Sequence, residues 1–165
     1  SSPGTYLVSY AVSDPSGNAA TVLQRTVQVV DNLLPTITLI GAASITLECG
    51  SAYVDAGATA LDGCDGDLSG AISVTGTVDT TTPGTYTLTF TVQDAAGQST
   101  QTTREVVVED TTAPTITLLG NVLETIACGG TFTDAGATAT DTCGGNLTGS
   151  IVSGGSVDTN TPGNY

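Results

Sequence analysis

Histidine, lysine and tryptophan are missing from this sequence of 165 residues, and two arginines stand against sixteen Asp and Glu, for a formal net charge of −14. Each absence closes a class of function. Without lysine, intramolecular Lys–Asn isopeptide links cannot staple the fold. Without histidine or lysine, and with the cysteines read as oxidised, the many Ser and Thr have no general base, so the chain is read as non-enzymatic. The acidic excess excludes nucleic acid as a natural partner and disfavours anionic membrane surfaces. A positive partner, divalent cations or a saline medium suit it better. No apolar run is long enough to cross a membrane as a helix, so no membrane insertion is expected. No signal peptide is visible, and a sequence that opens inside a repeat is not expected to show one. Apolar residues at helical spacing are also lacking.

What is present is a repeat. Pro83-Gly84-Thr85-Tyr86 opens a stretch in which Tyr86, Leu88, Phe90 and Val92 alternate with threonines, the period of a strand with one buried face. Asp94 to Gly97 supplies turn chemistry, and Arg104 to Val108 returns as a second β-rich run. Tyr6, Val8, Tyr10 and Val12 repeat the pattern near the start, and Pro162-Gly163-Asn164-Tyr165 opens it again. Cys49 and Cys128, Cys64 and Cys143, Asp31 and Asp110, and Pro35 and Pro114 are each separated by 79 residues. The repeat sets the expected domains: residues 1–30 as the C-terminal part of one unit, 31–109 as a complete unit, and 110–165 as the N-terminal part of the next.

Along the complete unit, strands are expected at 36–40, 43–49, 72–74 and 77–79, with a short strand and a bend within 51–60, and the closing hairpin after Pro83. Tyr53 and its counterpart Phe132 read as core, and Tyr86 as a tyrosine corner whose hydroxyl reaches back to nearby backbone. About seven short strands at turn-rich spacing predict an all-β fold, tandem immunoglobulin-like β-sandwiches on a 79-residue repeat. A unit this small buries only about 60% of its unfolded surface, and the cysteines offer help. They come in pairs fifteen residues apart, which favours disulfides Cys49–Cys64 and Cys128–Cys143 over metal sites and implies an oxidising compartment.

Residues 36–110, with the elements YVDAGATALD, DGDLS, VDTTTPGTYTLTFTVQD and VVVED, resemble the bacterial Ig-like repeat of insecticidal crystal proteins and long bacterial surface proteins. The likeness extends over the whole chain as one complete and two partial copies; the paired cysteines depart from the common cysteine-free form. It implies an extracellular or cell-surface sandwich used as a spacer, adhesive or binding module, and brings no catalytic residue.

Three sets of ligand candidates remain. Asp62, Asp65 and Asp67, with Asp55, offer hard oxygens of the kind Ca²⁺ takes, although Asp65 and Asp67 become Gly144 and Asn146 in the next copy, leaving Asp134 and Asp141. Asp31 and Asp110, each after a last strand, offer calcium a place between domains; the plainer alternative for all these acids is turn formation. Asn146-Leu147-Thr148 is a glycosylation sequon, and Thr80 to Thr82 a place for O-glycans. No cofactor is required. The leading function is a structural one, a stalk, fibre or filament whose partners are copies of itself or neighbouring repeats; the half-domains at either end are read first as a window on a longer chain, with head-to-tail completion between chains as the sharper alternative. The alternatives are an adhesin or glycan-binding accessory module with a cell-surface or glycan receptor, disfavoured by five Tyr, two Phe and no exposed-platform tryptophan, and a calcium-responsive adhesin.

Overall fold

The computed structural model describes residues 2–164. Ser1 and Tyr165, the tyrosine of the last tetrapeptide, lie outside the described residues. The fold is all-β apart from two single 3₁₀ turns, Ser69–Ala71 and Thr148–Ser150. Among the described residues twelve strands form: β1 (Gly4–Tyr10), β2 (Leu23–Val29), β3 (Thr36–Leu39), β4 (Ser44–Glu48), β5 (Ala58–Asp62), β6 (Gly66–Asp67), β7 (Ser73–Thr75), β8 (Gly84–Gln93), β9 (Ser99–Glu109), β10 (Thr115–Leu118), β11 (Ala137–Asp141) and β12 (Gly145–Asn146).

Strands β3 to β9 belong to the complete repeat and form two sheets, β3-β5-β6 and β4-β9-β8-β7. β3 and β5 are antiparallel, with Thr36 opposite Leu61 and Leu39 opposite Ala58. β4 runs the same way as β9, since Glu105 N–H donates to Ala43 O and Cys49 N–H donates to Glu109 O. Alternation on β8 and β9 decides the core: Leu88, Phe90 and Val92 face inward with Val106 and Val108. The Tyr86 hydroxyl donates to Thr82 O at 2.8 Å, and Tyr6 makes the same bond to Ser2 O at 2.7 Å, the tyrosine corner expected from the sequence.

The chain divides into two compact units, one of Ser1–Ile45, Val54–Thr77 and Thr87–Glu105, the other of Thr46–Tyr53, Val78–Tyr86 and Val106–Tyr165. The first holds the β1-β2 hairpin, the β3-β5-β6 sheet and Arg104. Arg104 is fully buried. Its guanidinium donates to Asp55 and to the carbonyls of Ile40 and Gly57, its Nε donates to Ala42 O at 3.0 Å, and its face lies 5.6 Å from the Phe90 ring centroid. The second holds the β10-β11-β12 sheet.

Several expectations need correction. Residues 77–79 form no strand. Gly76 has φ +100°, and Asp79 turns its carboxylate onto Thr81 N–H, the Thr81 hydroxyl and the Thr82 hydroxyl, so local side-chain bonds replace a ladder there. Within 51–60 only the last three residues are extended, as the start of β5. Tyr53 is half-buried and Phe132 is exposed, so neither is fully enclosed.

The disulfide pairing is corrected as well. Cys49 is bonded to Cys143, with 6.1 Å between their Cα atoms, while Cys64 and Cys128 are free thiols. Cys49 follows β4 beside the end of β9, whereas Cys64 sits in the β5–β6 turn near Asp31; the two belong to different compact units, and a spacing of fifteen residues carries no information about that.

Candidate functional site

The site with the most chemistry is the place where β9 gives way to the next copy, all of it inside the second unit. Cys49 is buried at the end of β4, held by its N–H bond to Glu109 O, while Gly50 N–H donates to Thr80 O at 2.7 Å. Cys143 is presented by the turn between β11 and β12. Asp141 Oδ1 accepts Cys143 N–H at 2.8 Å and Gly144 N–H at 2.6 Å, an Asx turn that fixes the backbone at Cys143. Gly50 is required here: its φ is +82°, and a Cβ would lie 2.6 Å from Thr142 Cγ2.

Next to the bridge, Glu48 clasps the linker. Its Oε1 accepts Thr111 N–H at 3.0 Å, Thr112 N–H at 3.1 Å and the Thr112 hydroxyl at 2.8 Å, and its Oε2 accepts the Thr111 hydroxyl at 2.7 Å. These bonds, led by the Thr111 hydroxyl, hold the Glu48 carboxyl below its ordinary value of 4.5. Sequence reasoning missed Glu48. A signal existed, since Ala127 occupies its place in the next copy.

The predicted calcium ligands do not come together as a set. Asp55 is spent on Arg104 and on Gly57 N–H, which Oδ1 accepts at 2.6 Å. Asp65 Oδ2 accepts Ala95 N–H at 2.7 Å, and Asp67 Oδ1 accepts the Ser69 N–H and hydroxyl at 2.9 and 2.6 Å. Asp110 is exposed, and Asp134 caps Gly136 N–H at 3.0 Å. Asp31 and Asp62 do meet, in the first unit: with Cys64 they place one ligand atom each within 4.8 Å of one another. Asp31 Oδ2 and Asp62 Oδ2 are buried with no hydrogen-bond partner. Asp62 Oδ1 accepts Asp65 and Cys64 N–H groups at 2.9 and 2.7 Å, which lowers its pKa. Burial and the hydrogen bond to Asp31 push the Cys64 thiol up. Asn146 is exposed and accepts Thr148 N–H at 3.0 Å.

A second feature of the second unit is a cleft of about 880 Å³ whose apolar lining includes Leu118, Val122, Leu123, Ile126, Phe132 and Val157. In the first unit Tyr6, Val8, Tyr10 and Val12, the counterparts of half-buried Tyr86 and of buried Leu88, Phe90 and Val92 in β8, are exposed. No described helix is long and apolar enough to cross a membrane.

Among known proteins, the chain is 33% identical over 135 residues to hyalin of Strongylocentrotus purpuratus, covering 78% of this chain and 11% of hyalin. It is 37% identical over 106 residues to an uncharacterised 81.3 kDa protein of Acholeplasma phage L2, covering 59% of this chain and 14% of that protein. The chain thus spans a small part of these curated relatives. Among solved structures, a lipoprotein of Bacteroides thetaiotaomicron matches with TM-score 0.44 and 33% identity over 48% of this chain and 39% of its own. The CBM51-2 and INT domains of Clostridium perfringens ZmpB, solved with GlcNAc, match with TM-score 0.38 and 21% identity over 58% of this chain and 22% of theirs. The family model described as "Bacterial surface protein, Ig-like domain" matches residues 37–108 and again 116–165. With most of its length matched by that model in two successive stretches, the chain belongs to the Ig-like domain family of bacterial surface proteins.

Proposed function

We propose that this chain is a non-enzymatic structural segment of an extracellular or cell-surface protein, in which successive Ig-like repeats form a stalk or filament with stiffened joints. The observation that carries the reading is the Cys49–Cys143 bond together with the Glu48 clasp on Thr111 and Thr112. Covalently fastening the end of β4 to the copy that follows suits a load-bearing or spacing element. Small-angle scattering tests it. The oxidised chain is expected to give a narrow distance distribution that broadens in a Cys49→Ser, Cys143→Ser variant. Identical curves for the two proteins would remove the stiffened-joint reading.

The hairpin of residues 3–31 and the cleft of residues 110–165 each present an uncovered apolar face that a neighbouring repeat covers, whether of the same chain or of another copy, as β8 and β9 do in the complete repeat. Exposed Tyr6, Val8 and Tyr10 and the 880 Å³ cleft support it. Intact mass of native material under reducing, denaturing conditions decides which, because a mass near 16.3 kDa fits separate subunits and a mass many times larger fits one continuous chain.

Calcium enters this reading in a reduced form. Asp31 and Asp62 keep buried carboxylate oxygens without hydrogen-bond partners, as Asp94 and Asp141 also do, but Asp31 and Asp62 lie together with Cys64, which favours a cation there. Two carboxylates are few for Ca²⁺, so affinity falls in the weak range of extracellular modules, about 10⁻⁴–10⁻³ M. Calorimetry without heat on Ca²⁺ addition, and a melting temperature indifferent to chelator, would end it.

A further inference from the structure

Cys64 carries a free thiol in the turn between β5 and β6, and the fold brings two carboxylates to it. One ligand atom from each of Asp31, Asp62 and Cys64 lies within 4.8 Å of the others, and among the described residues no second trio of acidic, cysteine or histidine side chains converges in this way. All three belong to the first compact unit. The two carboxylates are held alike. Asp31 Oδ1 accepts Leu33 N–H at 3.1 Å, and Asp62 Oδ1 accepts the Cys64 and Asp65 N–H groups at 2.7 and 2.9 Å, so the backbone fixes one oxygen of each. The other oxygen of each, Oδ2, is buried and has no hydrogen-bond partner. Asp62 is only 4% exposed, so its bare oxygen is turned from water into the interior that it shares with Asp31 and Cys64. Such an oxygen is costly to bury unless a cation meets it. The sequence has no lysine or histidine, Arg104 is engaged by Asp55, and Arg25 lies over the Tyr10 ring. We propose that Asp31, Asp62 and Cys64 form a site for one Zn²⁺, with the two Oδ2 atoms and the Cys64 thiolate as ligands and a water in the fourth position.

The inference rests on the cation reading of Asp31 and Asp62 and names the ion. Ca²⁺ takes about six to eight oxygens, more than these residues offer, whereas thiolate with carboxylate in fourfold coordination suits zinc. Bonds of about 2.3 Å to sulfur and about 2.0–2.2 Å to oxygen put tetrahedral ligand atoms about 3.5 Å apart. The three side chains therefore close by on the order of 1 Å around the ion. As the metal enters, the thiol proton leaves to solvent, and no electrons move. The next copy lacks the set. Asp141 and Cys143 repeat the turn, with Cys143 N–H on Asp141 Oδ1 at 2.8 Å, but Asp110, in the place of Asp31, is exposed, and Cys143 is bonded to Cys49. One turn is thus fastened to the repeat before it through sulfur, and the other, through zinc, to Asp31 in the segment that follows β2.

The test uses the native protein, stripped with EDTA and titrated with ZnCl₂ by calorimetry, with Co²⁺ as a spectroscopic probe and CaCl₂ as the competitor. The expected result is one Zn²⁺ for each Cys64, a near-ultraviolet sulfur-to-cobalt charge-transfer band, and protection of Cys64 from alkylation that EDTA abolishes. Cys64→Ser and Asp62→Asn are each expected to weaken Zn²⁺ binding by more than about 100-fold, the upper end of what losing an outer-shell partner costs. Cys128→Ser and Asp141→Asn are expected to leave it unchanged. Retention of Cys49–Cys143 in Cys64→Ser and Asp62→Asn shows that they fold. Cys64 recovered in a disulfide from unreduced native protein overturns the site, as does a cobalt band that survives Cys64→Ser. If Ca²⁺ binds, Zn²⁺ binds no tighter and Cys64→Ser changes neither, the thiolate site is overturned while the cation reading stands. No heat with either ion overturns both.

Discussion

Arg25 and Arg104 hold the same place in two copies of one hairpin, and they could hardly differ more in circumstance. Arg104 is sealed in the complete repeat, its guanidinium spread over Asp55 and the carbonyls of Ile40, Ala42 and Gly57. Arg25 is exposed and meets the Tyr10 ring at 5.8 Å. The difference teaches that the hairpin does not contain its own core. Its inward face is only potentially inward, and the first half of a repeat, carrying the Asp55 position and the carbonyls around residue 40, converts an amphipathic ribbon into a sandwich.

The two regions are separated most sharply by Arg104→Ala and Arg25→Ala. The first leaves the Asp55 carboxylate and three carbonyls without their cation, and is expected to cost about 3–5 kcal/mol in urea unfolding. The second removes an exposed cation–π contact and is expected to cost about 0.5–1 kcal/mol. Equal losses would mean that the arginine is not an organising group of the complete repeat.

A smaller effect is expected from cutting Cys49–Cys143 with serines. The sequence separation is 94, for which the chain-entropy account gives roughly 4.7 kcal/mol, with measured bridges commonly at about 2–4. The loss is expected to appear mainly as earlier melting of residues 110–165 relative to the complete repeat. A single unshifted transition by calorimetry would deny the bridge this role.

The glycines following Cys49 and Cys128 sharpen the comparison further, because Gly50 has φ +82° and Gly129 φ +79°, yet a Cβ at Gly50 meets Thr142 at 2.6 Å and one at Gly129 meets nothing within 4 Å. Both alanine variants carry the left-handed penalty of about 1–2 kcal/mol. Gly50→Ala is expected to cost about 1 kcal/mol more, from the crowding at the bridge. Equal melting shifts would show that Thr142 yields freely.

The smallest effect is that of pH on the Glu48 clasp. The folded-state pKa is depressed, so the contribution is present above the ordinary value of 4.5 and is lost as pH falls through the lower folded value. The melting-temperature difference between the wild type and Glu48→Gln is expected to be constant near neutrality and to shrink toward zero on acidification below about 4.5. A difference that persists in strong acid would assign the effect to something other than the carboxylate.

Much of this was legible in the residues. The period of two in Tyr86 to Val92 gave β8 and its buried face, Asp94 to Gly97 gave the turn, and the tyrosine after Pro-Gly gave the corner bond, because each depends on neighbours in sequence. The return strand was seen only from Arg104, since the Thr-rich start of β9 has no apolar alternation to announce it. Residues 77–79 misled because Thr and Val favour strands wherever they stand, while Asp79 takes the local hydroxyls instead.

The sequence by itself determined an all-β chain, the 79-residue period, the alternating faces, the acidic character, and which four residues are cysteines. The tertiary structure decided what those residues meet. Pairing depends on which strand ends converge, so spacing led to Cys49–Cys64 where the fold brings Cys49 to Cys143. In the same way it gave Asp55 to a buried arginine rather than to a cation, and brought Asp31 to Asp62 across thirty-one residues of chain. Local patterning reports the face a side chain occupies; only the packed sheets set the distance between faces far apart in sequence.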